Sequence, residues 1–234
     1  MRIAIIGGHG KIALLAAPQL VDAGHQVTSL IRDAAQSADI EATGAKPLVL
    51  SLEDAQESDL VEAFEDMDAV VFSAGAGGGN PERTIAVDRD GAFKAVRAAQ
   101  RAGVDRFVMV SYFGAGRVNL VPSSDPFHTY QEAKHEADLF LAASELDWTI
   151  LGPGTLTLDP SPHGVTPARP AETAGSPEAS RSRATSRELV AEVIVAVIGD
   201  DRASRRTLDF TDGGTEITTW LDEVVAGDVP GAQA

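Results

Sequence analysis

The sequence predicts an α/β fold, a doubly wound parallel sheet with helices on both faces, and three observations predict it. Short apolar runs rich in Val and Ile recur along the chain, and stretches of helical length separate them. Parallel strands need such crossovers, and strands covered on both faces read as unbroken apolar runs. The first of these runs ends in a cluster of glycines. We therefore expect one domain over residues 1–234, with a small substrate-side segment near its C-terminal end.

The opening unit of the chain predicts a phosphate-binding turn. Residues 2–6 form an apolar run that indicates a buried strand, and a glycine-rich turn, residues 7–11, follows at once and leads into a helix. The free N–H groups and the dipole at a helix N-terminus favour an anion. We expect Gly7 to permit the tight exit from the strand and Gly10 to let the backbone approach a pyrophosphate. His9 either touches a phosphate or is exposed without a contact.

The second strand, predicted at residues 26–31, ends at Arg32 and Asp33. In a doubly wound sheet this position lies beside the adenosine ribose. An acidic residue there accepts from the 2′-hydroxyl of NAD, whereas an arginine pairs with the 2′-phosphate of NADP. Both residue types are present, and we expect Arg32 to decide for NADP(H), with NAD(H) as the alternative cofactor.

The remaining elements alternate in the same way. Strands are expected at residues 46–50, 68–72, 104–110, 148–151 and 205–210, and helices at residues 12–23, 58–64, 85–102, 130–144, 189–198 and 215–225. Gly103 is placed to end the long third helix, and Ser186 and Thr215 are placed to cap the last two helices. Prolines and glycines crowd residues 155–185, which predicts an irregular lid on the substrate side.

Composition excludes several classes of function. The net charge is −16, from 35 acidic and 19 basic residues, which argues against a nucleic acid or an anionic membrane as partner. The absence of cysteine excludes disulfides, thiolate catalysis and cysteine metal sites. The histidines lack metal-ligand spacing, so no metal is expected. No apolar run approaches the ~18 residues of a membrane helix. We expect a cytoplasmic monomer or small homo-oligomer acting on a small-molecule substrate.

A second motif carries candidate chemistry. Tyr130 and Lys134 are four residues apart on a predicted helix and therefore share a face. A lysine ammonium there is expected to reach the hydroxyls of the nicotinamide ribose and to lower the tyrosine pKa. A tyrosine so tuned can serve as general acid to a carbonyl that accepts a hydride. Ser111, at the end of the fifth strand, is expected to bond a substrate oxygen beside Tyr130, although serine at a strand end is also a common turn residue.

Taken together, the motifs resemble a known family. In chain order they are Gly7-x-x-Gly10-x-x-Ala13, Arg32, Ser73-Ala74-Gly75, Val110-Ser111, Tyr130-x-x-x-Lys134 and residues 146–154 with Pro153-Gly154. This set resembles the atypical short-chain dehydrogenase/reductases with an NAD(P)H-binding domain, a group that includes flavin/biliverdin reductase-like and NmrA-like proteins. The resemblance covers nearly the whole chain.

The resemblance implies a Rossmann fold that binds NADP(H) across the carboxyl ends of its strands. It implies a pyrophosphate loop formed by Gly7, Gly10, Lys11 and Ile12, and a partner for the 2′-phosphate in Arg32. It implies a turn on the ribose side formed by Ser73, Ala74 and Gly75. It also implies an active-site pair, Tyr130 and Lys134, and a wall beside the nicotinamide formed by Pro153 and Gly154.

The chain departs from this family pattern at two places. Relatives commonly have Gly-Asp-Leu after the third strand, where this chain has residues 50–52, Leu-Ser-Leu. The acid is missing there, so contacts from the backbone and from Leu52 are expected instead. Relatives also commonly have arginine before the Pro-Gly pair, and this chain has Gly152.

Two functions of different class follow. The first is an NADP(H)-dependent oxidoreductase that transfers a hydride to a small carbonyl, quinone or flavin-like acceptor, with Tyr130 supplying the proton. The second is a non-catalytic redox sensor of the NmrA type that binds the cofactor and recruits a protein partner. A nucleotide-sugar epimerase is a third hypothesis, which the length of the chain disfavours, because it is short for the larger substrate domain that such enzymes carry.

Overall fold

The computed structural model describes residues 1–77, 80–115, 120–167 and 184–227, and it confirms the predicted α/β fold. The strands are β1 (Arg2–Ile6), β2 (Gln26–Ile31), β3 (Lys46–Val49), β4 (Ala69–Phe72), β5 (Arg106–Val110), β6 (Asp147–Pro153), β7 (Thr155–Thr157), β8 (Val165–Pro167), β9 (Ala184–Ser186) and β10 (Arg206–Asp212). The α-helices are α1 (Lys11–Asp22), α2 (Ser37–Ala42), α3 (Glu57–Phe64), α4 (Pro81–Thr84), α5 (Ala92–Ala102), α6 (His128–Ala142), α7 (Arg187–Val197) and α8 (Ile217–Ala226).

The main sheet has eight strands in the order β3-β2-β1-β4-β5-β6-β10-β8. All neighbours are parallel except β8, which pairs antiparallel with β10. The first six strands have the order of a dinucleotide-binding Rossmann sheet. The chain passes from β3 back across the sheet to β4, so the strand order reverses between β1 and β4.

Two hydrophobic cores lie on opposite faces of this sheet. Alternate residues of β1 supply them, with Ile3 and Ile5 in one core and Ala4 and Ile6 in the other. Helices α1, α7 and α8 cover the first face, and α3, α5 and α6 cover the second. The central strands are covered on both faces, which is why they read as unbroken apolar runs.

The segment predicted to be an irregular lid contains three short strands instead. β7 and β9 pair with each other in a separate parallel two-stranded sheet, and β8 joins the edge of the main sheet. The partner strands lie far away in the chain, so no local sequence pattern predicted these three strands. The rest of the predicted lid, residues 168–183, lies outside the described residues.

The long helix predicted at residues 85–102 begins earlier and is not regular. It starts with α4 at Pro81, where the Asn80 side chain accepts a hydrogen bond from the backbone N–H of Arg83 at 3.0 Å. Residues Ile85–Gly91 are π-helical, and α5 follows and ends at Gly103 as predicted, with φ +74°. π-Helical turns often occur at functional sites, and this one contains a buried acid described below.

Of the two predicted N-caps, one is confirmed. The Ser186 hydroxyl accepts from the backbone N–H of Leu189 at 3.2 Å and so caps α7. Thr215 does not cap α8, because its backbone instead pairs with Val165 in an isolated bridge and the cap residue is Glu216. Within the described ranges, none of the helices combines the length and the apolar character needed to cross a bilayer.

Candidate active site and cofactor groove

A groove of about 540 Å³ opens at the carboxyl edge of the sheet, around the ends of β1 and β4. The strand order reverses there, and open α/β sheets bind their ligands at such points. Nine of the residues predicted to bind the cofactor line it: Gly7, His9, Gly10, Lys11, Arg32, Leu52, Ser73, Ala74 and Gly75. Ile12 was also predicted, but its side chain is 8% exposed and packs in the core beneath the turn.

The turn after β1 leaves backbone donors available to an anion. Gly7 has φ +78°, and a Cβ on it would lie 2.7 Å from the Cα of Ala74, so only glycine fits there. The backbone N–H of Gly10 donates to the Gly7 carbonyl at 2.8 Å, which closes the turn. The first turn of α1 has neither a side-chain cap nor an acidic residue. The helix N-terminus therefore keeps the positive end of its dipole uncompensated.

Two basic side chains border this turn. Lys11 and Arg32 are exposed and line the groove, and neither has an ion-pair partner among the described residues. Asp33 is engaged elsewhere, because its carboxylate accepts from the backbone N–H of Ala35 at 2.9 Å and caps a short 3₁₀ turn, Ala34–Gln36. The acidic neighbour of Arg32 is thus tied to its own backbone.

His9 reaches the groove, but its ring has a protein partner. The imidazole Nε2 lies 2.7 Å from a carboxylate oxygen of Asp39, near the start of α2. This pair was not predicted, because α2 itself was not predicted.

An ion pair between Arg83 and Glu53 lies at the border of the groove and was also missed. The guanidinium of Arg83 donates to both carboxylate oxygens of Glu53, at 2.9–3.2 Å, and its Nη1 donates to the Ala76 carbonyl at 2.7 Å. Both side chains line the groove. Glu53 comes directly after Leu52, so an acid does border the groove here, two residues beyond the place where the family pattern has one.

The candidate catalytic residues gather beside α6. Tyr130, Lys134 and Asp138 follow one another at four-residue intervals and so share one face of the helix. Ser111 lies directly after β5 and is 5% exposed. Its hydroxyl donates to the Oδ2 atom of Asp138 at 2.7 Å. The structure thus joins Ser111 to this helix through an acid that was not predicted, and the expected contact of Ser111 with a substrate oxygen remains a prediction.

Lys134 lies deeper than expected. Its side chain is 2% exposed, and Nζ donates to the Val110 carbonyl at 2.8 Å and lies 4.0 Å from the Oδ1 atom of Asp88. These protein partners hold the ammonium below the carboxyl end of β5. The predicted contact of Lys134 with a ribose remains a prediction.

Asp88 connects this lysine to the cofactor groove. It lies in the π-helical turn and is 1% exposed. Its Oδ2 accepts from the backbone N–H of Ala76 at 3.0 Å, in the glycine-rich turn after β4. Burial raises the pKa of the Asp88 carboxyl, while Lys134, the Ala76 N–H and Arg83 oppose that rise. The turn that borders the groove is therefore fixed from the active-site side. Gly78 and Gly79 of that turn lie outside the described residues.

The predicted effect of Lys134 on Tyr130 is wrong. The pKa of Tyr130 lies above its usual value, mainly because the phenol is buried and also because Asp88, Tyr112 and Asp138 act on it. Two carboxyls thus surround a single ammonium, and the local field opposes a tyrosinate. Tyr130 is therefore a neutral phenol in the free protein at neutral pH.

Aromatic rings border the same place. The ring of Tyr130 lies 5.6 Å from that of Tyr112 and 5.2 Å from that of Phe127, measured between centroids. Phe127 is 43% exposed. A flat acceptor would therefore meet an apolar aromatic surface beside the hydroxyl groups.

The predicted wall at Pro153 and Gly154 belongs to the sheet. Pro153 ends β6 and is buried, and the Gly154 N–H donates to the Thr185 hydroxyl at 2.9 Å and to the Phe210 carbonyl at 3.1 Å. Neither residue borders the groove described above. At Gly152, a Cβ would collide with a carboxylate oxygen of Asp209, which occupies this space from β10.

The acids missed by the sequence analysis differ in how visible they were. Asp138 continues the four-residue spacing of Tyr130 and Lys134, so a search along that helix face could have found it. Asp88 and Asp209 carry no such signal, because only the folded sheet brings them to the site. Within the described part of the chain, no group of three or more histidine or acidic side chains is arranged to hold a metal ion.

Comparison with known proteins identifies the family. The sequence profile of the NAD(P)H-binding family matches residues 7–201, from the glycine-rich turn after β1 to beyond α7. The chain belongs to the NAD(P)H-binding family.

Three proteins illustrate the likeness to this NAD(P)H-binding chain. The uncharacterized sugar epimerase YhfK of Bacillus subtilis (strain 168) is 34% identical over 96% of this chain and 100% of its own length. A Bacillus halodurans structure, assigned provisionally by its name to the NAD-dependent epimerases/dehydratases, is 30% identical with a TM-score of 0.84, covering 95% of this chain and 99% of its own. The anaerobillin reductase ChuY of Escherichia coli O157:H7 has a TM-score of 0.70 at 17% identity, over 92% and 99% of the two chains, which shows a shared fold.

Proposed function

We propose that this protein is an NADP(H)-dependent oxidoreductase that transfers a hydride between the nicotinamide and a small carbonyl, quinone or flavin-like acceptor. The observation that carries the proposal is that two hydroxyl groups, of Ser111 and Tyr130, lie beside a buried charged cluster that Asp88 ties to the groove of an NAD(P)H-binding fold. A cofactor site without such groups would support binding alone.

The groove fits the dinucleotide. Its turn admits only glycine at Gly7, and the uncapped N-terminus of α1 offers N–H groups to a pyrophosphate. Arg32 is exposed without a described ion-pair partner, whereas Asp33 is engaged by its own backbone. A 2′-phosphate would supply the oppositely charged partner that Arg32 lacks among the described residues, which supports NADP(H) over NAD(H).

The chain's own residues then position the acceptor and the proton. When bound, the nicotinamide supplies or accepts the hydride. The hydroxyls of Tyr130 and Ser111 would meet the acceptor oxygen, and the rings of Tyr112 and Phe127 would hold a flat acceptor against them. Hydrogen bonds aimed at an oxygen that gains negative charge stabilise that charge as the hydride arrives.

A panel of aldehydes, ketones, quinones and flavins with NADPH tests this function. We expect turnover with at least one acceptor class, and a fall of kcat by about 10²–10³ in Tyr130→Phe with cofactor affinity unchanged, because the phenol hydrogen bond is lost. Tyr112→Phe is the matched control, since it removes the chain's other phenol and should keep kcat within the same order of magnitude. Equal turnover of Tyr130→Phe and the native protein would contradict the role of the Tyr130 hydroxyl in the reaction.

A second candidate comes from the names of two relatives, which refer to epimerases. This chain covers the whole of YhfK, so the short length noted in the sequence is shared by that relative. A nucleotide-sugar arm in the same panel separates the readings, because an epimerase interconverts sugars without net consumption of the cofactor. Nothing in the comparisons supports the sensor alternative.

A further inference from the structure

We propose that Asp138 holds a proton at neutral pH and passes it through the Ser111 hydroxyl to the acceptor oxygen, so that Ser111, and not Tyr130, is the group that delivers the proton. The inference rests on the proposed function for its destination, but the stored proton can be measured without any turnover.

Charge balance within the buried cluster is the first argument. Asp88 and Asp138 are 1% and 2% exposed, and the one ammonium among them, on Lys134, is 2% exposed. If both carboxyls were ionised, the cluster would hold an uncompensated negative charge away from water, which is costly. One of the two carboxyls is therefore expected to be neutral.

Hydrogen bonding decides which carboxyl is neutral. Asp88 accepts a backbone N–H from Ala76, lies 4.0 Å from the ammonium and is also acted on by Arg83. Among the described residues, the Asp138 carboxyl has one hydrogen bond, from the Ser111 hydroxyl to Oδ2, and its Oδ1 is buried without a hydrogen-bond partner. An orphaned oxygen costs less on a neutral carboxyl than on a carboxylate, so the proton belongs to Asp138.

The net effect of the surroundings of Asp138 also favours its protonated form. Lys134 and Tyr130 face it from its own helix, Ser111 and Tyr112 from the segment after β5, and Asp209 from β10. The pKa of Asp138 is raised to about 7, mainly by burial. The charge of Asp209 adds to this rise, whereas Lys134 and the hydrogen bond from Ser111 oppose it. The group thus titrates in the range where a stored proton can be released and regained.

The geometry allows a balanced transfer. The acceptor carbon gains a hydride from the nicotinamide, and its oxygen takes the proton of the Ser111 hydroxyl, which must first turn away from Asp138. The protonated Oδ2 of Asp138 then donates its own proton to the Ser111 oxygen across the same 2.7 Å separation. Asp138 is left as a carboxylate, and solvent restores its proton before the next turnover. In the oxidation direction the carboxylate removes a proton through Ser111. Asp138 acts through Ser111 and is therefore a positioning residue that also stores the proton.

Infrared titration of the cofactor-free protein tests the stored proton directly. We expect a C=O stretching band of a buried protonated carboxyl that disappears as the pH rises through about 7 and that is absent from Asp138→Asn. In Ser111→Ala the band should persist to higher pH, because the hydrogen bond that lowers the pKa is lost. Asp105→Asn removes an exposed carboxyl and should leave the band unchanged. A native band that disappears near pH 4, or that survives in Asp138→Asn, would overturn the proposal.

Kinetics test the path of the proton. Reduction needs protonated Asp138, so kcat for reduction should fall as the pH rises through about 7, and kcat for oxidation should fall as the pH drops through the same range. Asp138→Asn should flatten both profiles, and Ser111→Ala should lower kcat by about 10²–10⁴. Tyr130→Phe should lower kcat while keeping the profile, and loss of the profile in that variant would assign the proton to the phenol instead.

The two proposals can fail separately. An Asp138 band with no turnover of any acceptor would count against the oxidoreductase and support the stored proton. Turnover with a pH profile unaffected by Asp138→Asn would support the oxidoreductase and overturn the role of Asp138.

Discussion

The cofactor groove and the buried cluster beside α6 lie at the same edge of the sheet but are built in opposite ways. The groove is lined by two glycine-rich turns and by the ends of neighbouring strands, with basic side chains left exposed at its border. The cluster is made of charged side chains that are almost completely buried and that pair with one another. Binding a large anion requires accessible N–H groups and positive charge, whereas controlling a proton requires charges withdrawn from water.

This difference decides where each region is sensitive. Substitutions in the groove are expected to change affinity, because its side chains are solvated and its backbone is constrained. Substitutions in the cluster are expected to change stability and proton transfer, because each charge there is balanced by another. Three variants test this contrast, beginning with the one expected to have the largest effect.

Removing the buried ammonium should have the largest effect. Lys134→Met leaves Asp88 without its counter-charge in a buried site, so the free energy of unfolding should fall by about 3–5 kcal/mol. Glu53→Gln is the matched control in the groove, because it breaks a partly exposed ion pair and should cost no more than about 1 kcal/mol. Urea denaturation followed by circular dichroism measures both. Adding Asp88→Asn to Lys134→Met should recover part of the loss, and equal losses for the two single variants would contradict the contrast.

Changing the phosphate-binding turn should mainly weaken cofactor binding. In Gly7→Ala the new Cβ meets backbone atoms of Ala74, and the turn must shift, so NADPH affinity should fall about 10²-fold. Gly24→Ala is the control, because Gly24 has a similar φ of +86° with nothing within 4 Å of an added Cβ. Calorimetric titration should show native affinity for that control. Native affinity in Gly7→Ala would show that the turn does not hold the diphosphate.

Removing the basic residue at the end of β2 should have a smaller and selective effect. Arg32→Ala should weaken NADPH binding about 10–100-fold, because one charge-assisted hydrogen bond to the 2′-phosphate is lost. NADH binding should be unchanged, because NADH has no 2′-phosphate. Nicotinamide fluorescence titration measures both cofactors, with Arg101→Ala, far along α5, as the control. An equal loss for the two cofactors would remove Arg32 as the source of preference.

The comparison also explains which parts of the site the sequence predicted. Gly7, Gly10 and Arg32 were found because a turn and a strand end are local features, and they lie together in the groove as expected. The spacing of Tyr130 and Lys134 was found for the same reason, since a helix face is local. The predicted direction of the tyrosine pKa was wrong, because Asp88 and Asp138 act on the same phenol.

By itself, the sequence determined the alternation of strands and helices, the parallel sheet and the glycine-rich turn after β1. Each of these depends on apolar periodicity or on backbone freedom within about a dozen residues, which a chain displays in order. Only the tertiary structure decided the pairing of β7 with β9, the placing of Asp88 by a π-helical turn, and the contact of Ser111 with Asp138. These join residues that are many positions apart, and the charge that each group carries depends on neighbours that only the folded sheet brings within reach.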